Sequence, residues 1–313
     1  MKQSMWKNKW LSTSHICEEK AMEIKVITYN IDGLPDSIDL KTLPWYLKPV
    51  TWIYRLFKHT TIMPVNDNQN KAECIKEISR RLSQENADII AVQEDFNYHT
   101  ELMSTLSKIY NSGEYGGTIS IDNLKFLPYP HFKADGLNLI TKSKIMELAE
   151  RIIPWKKSNG YISHANDKLA TKGFRFYSLI MINGKQLNVY VVHMDADFYD
   201  PVKCPDVSKD VAARKSQFKQ LADYIANYPK DVPTLILGDT NSYNKYQWDT
   251  ENLNYFTSLL PDFKEAIPTN YSDCDRIFYR GLNLKSCHFD LSYHDENGTQ
   301  LSDHKPLITI FEL

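Results

Sequence analysis

Polar side chains stand repeatedly where buried, β-rich runs of this sequence stop: Asn30, Glu94, His193, Asp239 with Asn241, and Asp303 with His304. Strand ends converge on one rim of a sheet, so side chains far apart in the chain can meet in one place. Carboxylates and amide oxygens without thiolates form a hard-oxygen site suited to Mg²⁺, with Mn²⁺ as the alternative. The two histidines supply proton transfer near neutral pH. A lone Asn after a strand is usually a turn residue and a lone Glu a solvated carboxylate, so the weight rests on their recurrence.

Several elements must position these residues. Ile24 to Tyr29 is apolar on both faces, the pattern of a central strand ending at Asn30, and Asp32-Gly33 marks a turn. Between Lys71 and Asn86, Ala72, Ile75, Ile78 and Leu82 recur at helical spacing, and a strand follows from Asp88 to Glu94. Strands are expected at Leu137 to Thr141, Phe174 to Ile182 and Gln186 to His193, with a hairpin at Asn183-Gly184. A helix with Val211, Phe218, Leu221, Ala222 and Ile225 leads to a strand from Thr234 to Asp239. Shorter strands are expected at Arg276 to Tyr279 and Pro306 to Phe311. Mixed sheets covered by helices result, an α/β (α+β) domain.

The chain has 313 residues, Lys+Arg 37 against Asp+Glu 39, and a net charge of -2. That is enough for a sizeable core, and it gives no overall attraction for nucleic acid or anionic lipid. The cysteines (Cys17, Cys74, Cys204, Cys274, Cys287) are odd in number and widely spaced, so reduced structural thiols are expected. Residues 1–21 read as a polar tail and 22–313 as one domain. No apolar run reaches signal-peptide or membrane-span length, so cytoplasmic residence is expected. An insertion at about 40–63 holds Trp45, Tyr46, Trp52, Ile53, Tyr54, Leu56 and Phe57 among Lys48, Arg55 and Lys58. It either packs on the domain or faces lipid or substrate, since such a mixture suits a membrane interface.

T-Y-N at Thr28 to Asn30, Q-E at Gln93-Glu94, G-D-T-N at Gly238 to Asn241, D-R-I at Asp275 to Ile277 and S-D-H at Ser302 to His304 follow one another along the chain. In order and spacing this set resembles the endonuclease/exonuclease/phosphatase (DNase I-like) superfamily. The resemblance implies a two-sheet αββα sandwich with its site at one end of the sheets. It also implies that Glu94 is the main metal carboxylate, assisted by Asn30, with Asp303 completing the shell. Asp239 and Asn241 would position water and a phosphate oxygen. His304, oriented by Asp275, would be the acid-base residue, and His193 would bond the phosphoryl oxygens. Asp135 is either a further ligand or a turn aspartate.

The middle of the chain resembles the neutral sphingomyelinases: Asp135-Gly136-Leu137, Asp167 to Phe174 with its K-G-F element, and His193 to Asp197. The resemblance gives Lys172 the role of stabilising phosphate charge. It departs from that branch where Asp195 replaces the usual glutamine after the histidine. The ends of the chain, Thr28 to Leu34 and Asp275 to Arg280, are closer to the tyrosyl-DNA phosphodiesterases. A phospholipid head group is thus the expected substrate, with peripheral membrane contact and no obligate protein partner. Nucleic acid and a soluble phosphomonoester are the alternatives.

Overall fold

Runs that are apolar on both faces must be covered on both sides, and two sheets packed face to face with helices outside satisfy that demand. A computed structural model describes residues 21–33, 71–96, 98–112, 135–158, 173–197, 199–202 and 205–313. The polar tail, the aromatic insertion at about 40–63 and Lys172 lie outside the described residues.

In chain order the elements are β1 (Glu23–Asn30), α1 (Lys71–Glu85), β2 (Ile89–Gln93), α2 (His99–Leu106), β3 (Tyr110–Ser112), β4 (Asn138–Lys142), β5 (Met146–Pro154) and β6 (Gly173–Ile180). They continue with β7 (Gln186–His193), α3 (Ser208–Ile225), β8 (Thr234–Asp239), α4 (Gln247–Leu259), β9 (Lys264–Glu265), β10 (Asp275–Arg280), β11 (Asn283–Phe289) and β12 (Leu307–Glu312). One sheet runs β11-β12-β1-β2-β4-β3 and the other β5-β6-β7-β8-β10-β9. The expected αββα sandwich is the fold observed.

Each sheet has one parallel pair at its centre, β1 with β2 and β7 with β8; the other pairings are antiparallel. Both parallel pairs carry a site residue at the register end: Asn30 opposes Gln93 in one sheet and His193 opposes Asp239 in the other. The neighbours of these pairs add β10, whose Asp275 is registered with Asp239. Strand order alone therefore delivers the rim.

Between the sheets lies a core with Val26, Ile89, Ala91, Leu139, Val189, Val191, Leu235, Leu237 and Ile277 at its centre. A second layer of apolar contacts packs α1 and α2 on the outside of the first sheet through Ile75, Ile78, Leu82 and Leu102. A third packs α3 and α4 on the second sheet through Phe218, Leu221, Ile225, Leu253 and Phe256. The hairpin between β6 and β7 turns at Asn183-Gly184, where Gly184 takes φ 80° and Asn183 Oδ1 accepts from Lys185 N.

Close approach explains one glycine outright. A Cβ on Gly238 would lie 2.1 Å from Val192 O, and its φ of 145° is open only to glycine, so the parallel β7–β8 contact requires it.

Candidate active site

Asn30, the last residue of β1, joins the two sheets. Its Nδ2 donates to Glu94 Oε1 and to Asp239 Oδ2, both at 3.2 Å. Its Oδ1 accepts from Asp32 N at 3.1 Å. In this structure Asn30 bridges two carboxylates, and a half-turn of the amide would present its oxygen instead. Glu94 follows β2 with φ 60°, a left-handed conformation that costs a non-glycine residue energy and redirects the chain just past the strand. Gly33 allows this approach, since a Cβ there would meet Glu94 O at 2.2 Å.

The second sheet supplies Asp239, His193 and Asp275, and the loop before β12 supplies His304. Asp239 Oδ2 lies 3.6 Å from His193 Nε2 and 3.8 Å from His304 Nε2. Both separations exceed a hydrogen bond, so the imidazoles and the carboxylate are placed to act on atoms between them. Burial pushes the Asp239 carboxyl up, but the two imidazoles, Asn241 N and Asn30 outweigh that and hold it below its usual value.

His304 Nδ1 is 2.6 Å from Asp275 Oδ2, the short contact of a charge-assisted pair. Burial alone would lower the imidazole; the Asp275 carboxylate reverses this and holds His304 well above its usual range. Burial in turn pushes the Asp275 carboxyl up to about 6. Ser302 ties this loop to β1, donating from Oγ to Asn30 O at 2.8 Å and accepting from His304 N at 3.1 Å.

Asn241 has φ 48°; its N–H donates to Asp239 Oδ1 at 2.7 Å and its Nδ2 to Met194 O at 3.0 Å. It thereby stitches the loop after β8 to the loop after β7. Asp303 lies beside His304, its Oδ1 3.9 Å from Nε2, with its side chain 75% exposed. Asp135 is a turn residue gripped from both sides by the buried Arg175, at 2.7 and 2.8 Å, with Leu137 N also donating to it.

Three contributors had no role in the sequence reading, although one of them, Arg276, is the arginine of D-R-I. Cys274 Sγ lies 4.0 Å from His304 Nδ1, and Asp239, Cys274 and His304 offer ligand atoms all within 4.8 Å of one another. Burial pushes the Cys274 thiol well up, so it keeps its proton and adds no thiolate. Arg214, fully buried on α3, bonds Asp195 O and Asp197 in the loop after β7 and Asp249 in the first turn of α4, clasping the two together. Arg276 reaches from β10 to Ser242 O at 2.9 Å and Asn244 Oδ1 at 2.8 Å. The signals were present only as a Cys beside the D-R-I aspartate and as arginines in apolar periods.

The donor set is chiefly oxygen: Glu94 and Asp239 converge on one amide, and the neighbouring sulfur stays protonated. That suits a hard divalent cation better than a soft one. The two parallel strand pairs end at Asn30 with Gln93 and at His193 with Asp239, and, with the family match that follows, the chain is a hydrolase of the phosphodiesterase type. The chain belongs to the endonuclease/exonuclease/phosphatase family, whose model matches residues 27–304. No curated protein matches it in sequence.

Solved structures share the fold at low identity. Humanized D. rerio TDP2 is 14% identical, with a TM-score of 0.60 over 93% of this chain and 99% of that one. Sphingomyelinase C from Streptomyces griseocarneus is 16% identical, with a TM-score of 0.61 over 92% and 99%. A beta toxin variant from Staphylococcus aureus, described with bound magnesium ions, is also 16% identical, with a TM-score of 0.62 over 92% and 99%.

Proposed function

We propose that this chain is a divalent-metal-dependent phosphodiesterase of the sphingomyelinase type, cleaving sphingomyelin to ceramide and phosphocholine. The observation that carries the chemistry is the shared Asp239 Oδ2, faced by two imidazole nitrogens on one side and bridged through Asn30 to Glu94 on the other. Lipid as the substrate class draws support from the Asp167 to Phe174 block, from the aromatic insertion and from a net charge of -2, which offers polyanionic DNA no general attraction.

Glu94, Asn30 and Asp303 are the residues proposed to hold Mg²⁺ or Mn²⁺, which supplies Lewis-acid polarisation of a phosphoryl oxygen. Asp239 and Asn241 orient the attacking water. His304, fixed through Nδ1 on Asp275, receives the proton of that water at Nε2 as the new P–O bond forms and the P–O bond to ceramide breaks; the departing ceramide oxygen takes a proton from water, and His304 releases its proton to solvent. His193 donates to the phosphoryl oxygens as their charge grows, and Lys172 adds a further positive charge.

The test is hydrolysis of sphingomyelin in mixed micelles, followed as released phosphocholine with Mg²⁺ and with EDTA, beside a 5′-tyrosyl DNA oligonucleotide. EDTA-sensitive phosphocholine release is expected, together with a selective loss on sphingomyelin in Lys172→Ala. Cleavage of the oligonucleotide alone would replace this reading with a DNA phosphodiesterase. Inorganic phosphate released only from a monoester would replace it with a soluble phosphatase.

A further inference from the structure

The loop after β8 builds an aromatic wall at the edge of the site. Tyr243 comes two residues after Asn241, whose N–H donates to Asp239 Oδ1, so this loop leads directly out of the site. Its ring meets that of Tyr246 at 6.4 Å and 81°, so the two form an L-shaped corner. Tyr246 is backed by Trp248, stacked at 4.8 Å and 8°, and Tyr199 from the loop after β7 closes on both, edge-on, at 5.6 and 5.2 Å.

This wall is braced. Tyr243 N donates to Asp249 Oδ2 at 3.0 Å, Tyr246 N to Tyr243 O at 3.1 Å, and Arg276 holds Ser242 and Asn244 between them.

The corner already holds a cation. Lys245 Nζ sits 5.0 Å from the centre of the Tyr243 ring and 4.9 Å from that of Tyr246. Lys245 is exposed and makes no ion pair among the described residues. A compact ammonium on a flexible stem is strongly hydrated and gives up much of that hydration to lie on aromatic faces. A quaternary ammonium is larger and binds aromatic faces with less loss.

The corner is also the wrong shape for a nucleobase. Base stacking needs an open face or a parallel slot. Here the parallel pair, Tyr246 and Trp248, is stacked on itself, and the open faces stand nearly at right angles.

We infer that the Tyr243–Tyr246 corner is a subsite for the trimethylammonium group of the substrate, and that Lys245 is a resident cation which the head group displaces. The inference rests on the phosphocholine-releasing reading above and deepens it: the corner begins two residues after Asn241, which bonds Asp239 through its N–H.

The test is an NMR titration of the whole protein with tetramethylammonium and, separately, with phosphocholine. Lys245→Met should tighten tetramethylammonium binding roughly two- to fivefold, because the competing charge is gone while the rings remain. Tyr246→Ala should weaken it by a similar factor or more, and Tyr246→Phe should restore it. Weaker phosphocholine binding in Lys245→Met, with tetramethylammonium unaffected, would make Lys245 an anion contact and overturn the inference. Binding of adenosine monophosphate that depends on Tyr246, without binding of tetramethylammonium, would overturn it as well. The two readings fail separately: tetramethylammonium binding with the expected variant pattern but no sphingomyelin cleavage sinks the function and spares the corner. Metal-dependent sphingomyelin cleavage with tetramethylammonium binding indifferent to both variants sinks the corner and spares the function.

Discussion

His304 and Asp275 form the pair to which the proposed mechanism gives proton transfer. The carboxylate at 2.6 Å holds the imidazole well above its usual range, so His304 keeps its proton to higher pH than a free histidine would. A base works in its neutral form, so the rate should rise with pH as His304 deprotonates. Asp275→Asn removes the charge that holds the proton, and the rise should move to lower pH while kcat falls by a factor on the order of 10² to 10⁴. A pH–rate profile that keeps its position in this variant would assign the limb to another group. His304→Ala should lose turnover by a similar factor with an unchanged circular dichroism spectrum; near-wild-type rates would remove His304 from the chemistry. The dyad was legible through the D-R-I and S-D-H motifs. Cys274 was not, because a cysteine before an aspartate has no spacing that distinguishes a site thiol from a core one.

The elements differ in how visible they were, and burial explains the difference. β1, β2, β7 and β8 are covered on both faces and read as continuous apolar runs. α4 was invisible because its buried face includes Asp249 and Asn252 beside Leu253 and Phe256, which breaks the apolar period. β5 is an edge strand, largely exposed and charged, and β11 shifts register between Leu284 and Ser286, so neither alternates cleanly. The positioning of the site depends on contacts between such elements. Gly238→Ala would drive a Cβ into Val192 O and should lower stability by about 3 kcal/mol or more, read by thermal unfolding. Gly33→Ala meets Glu94 O at 2.2 Å, so its larger effect should fall on metal-dependent rate. Arg214→Met leaves Asp197 and Asp249 buried without their cation and should cost about 3–5 kcal/mol. Replacing both aspartates by Asn in the same chain should recover part of that loss; no recovery would mean that packing, not charge, makes the clasp.

Across the whole molecule the two sheets are held by their shared apolar core, yet at the rim they meet through a polar junction. Asn30 and Glu94 belong to one sheet, Asp239 and His193 to the other, and Asn30 Nδ2 spans from Glu94 to Asp239. Two carboxylates facing one another across a junction repel unless something positive lies between them. A divalent cation held there should therefore stabilise the entire sandwich, by about 2.7 kcal/mol when it is present at 100 times its Kd. For a domain of this size that corresponds to a rise in Tm of roughly 4 to 5 °C. EDTA should reverse the rise, and sodium at equal ionic strength should not reproduce it, because a screening effect would not distinguish the ions. Glu94→Ala should abolish the Mg²⁺-induced shift. A full Mg²⁺ shift retained in Glu94→Ala would move the cation away from the junction between the sheets.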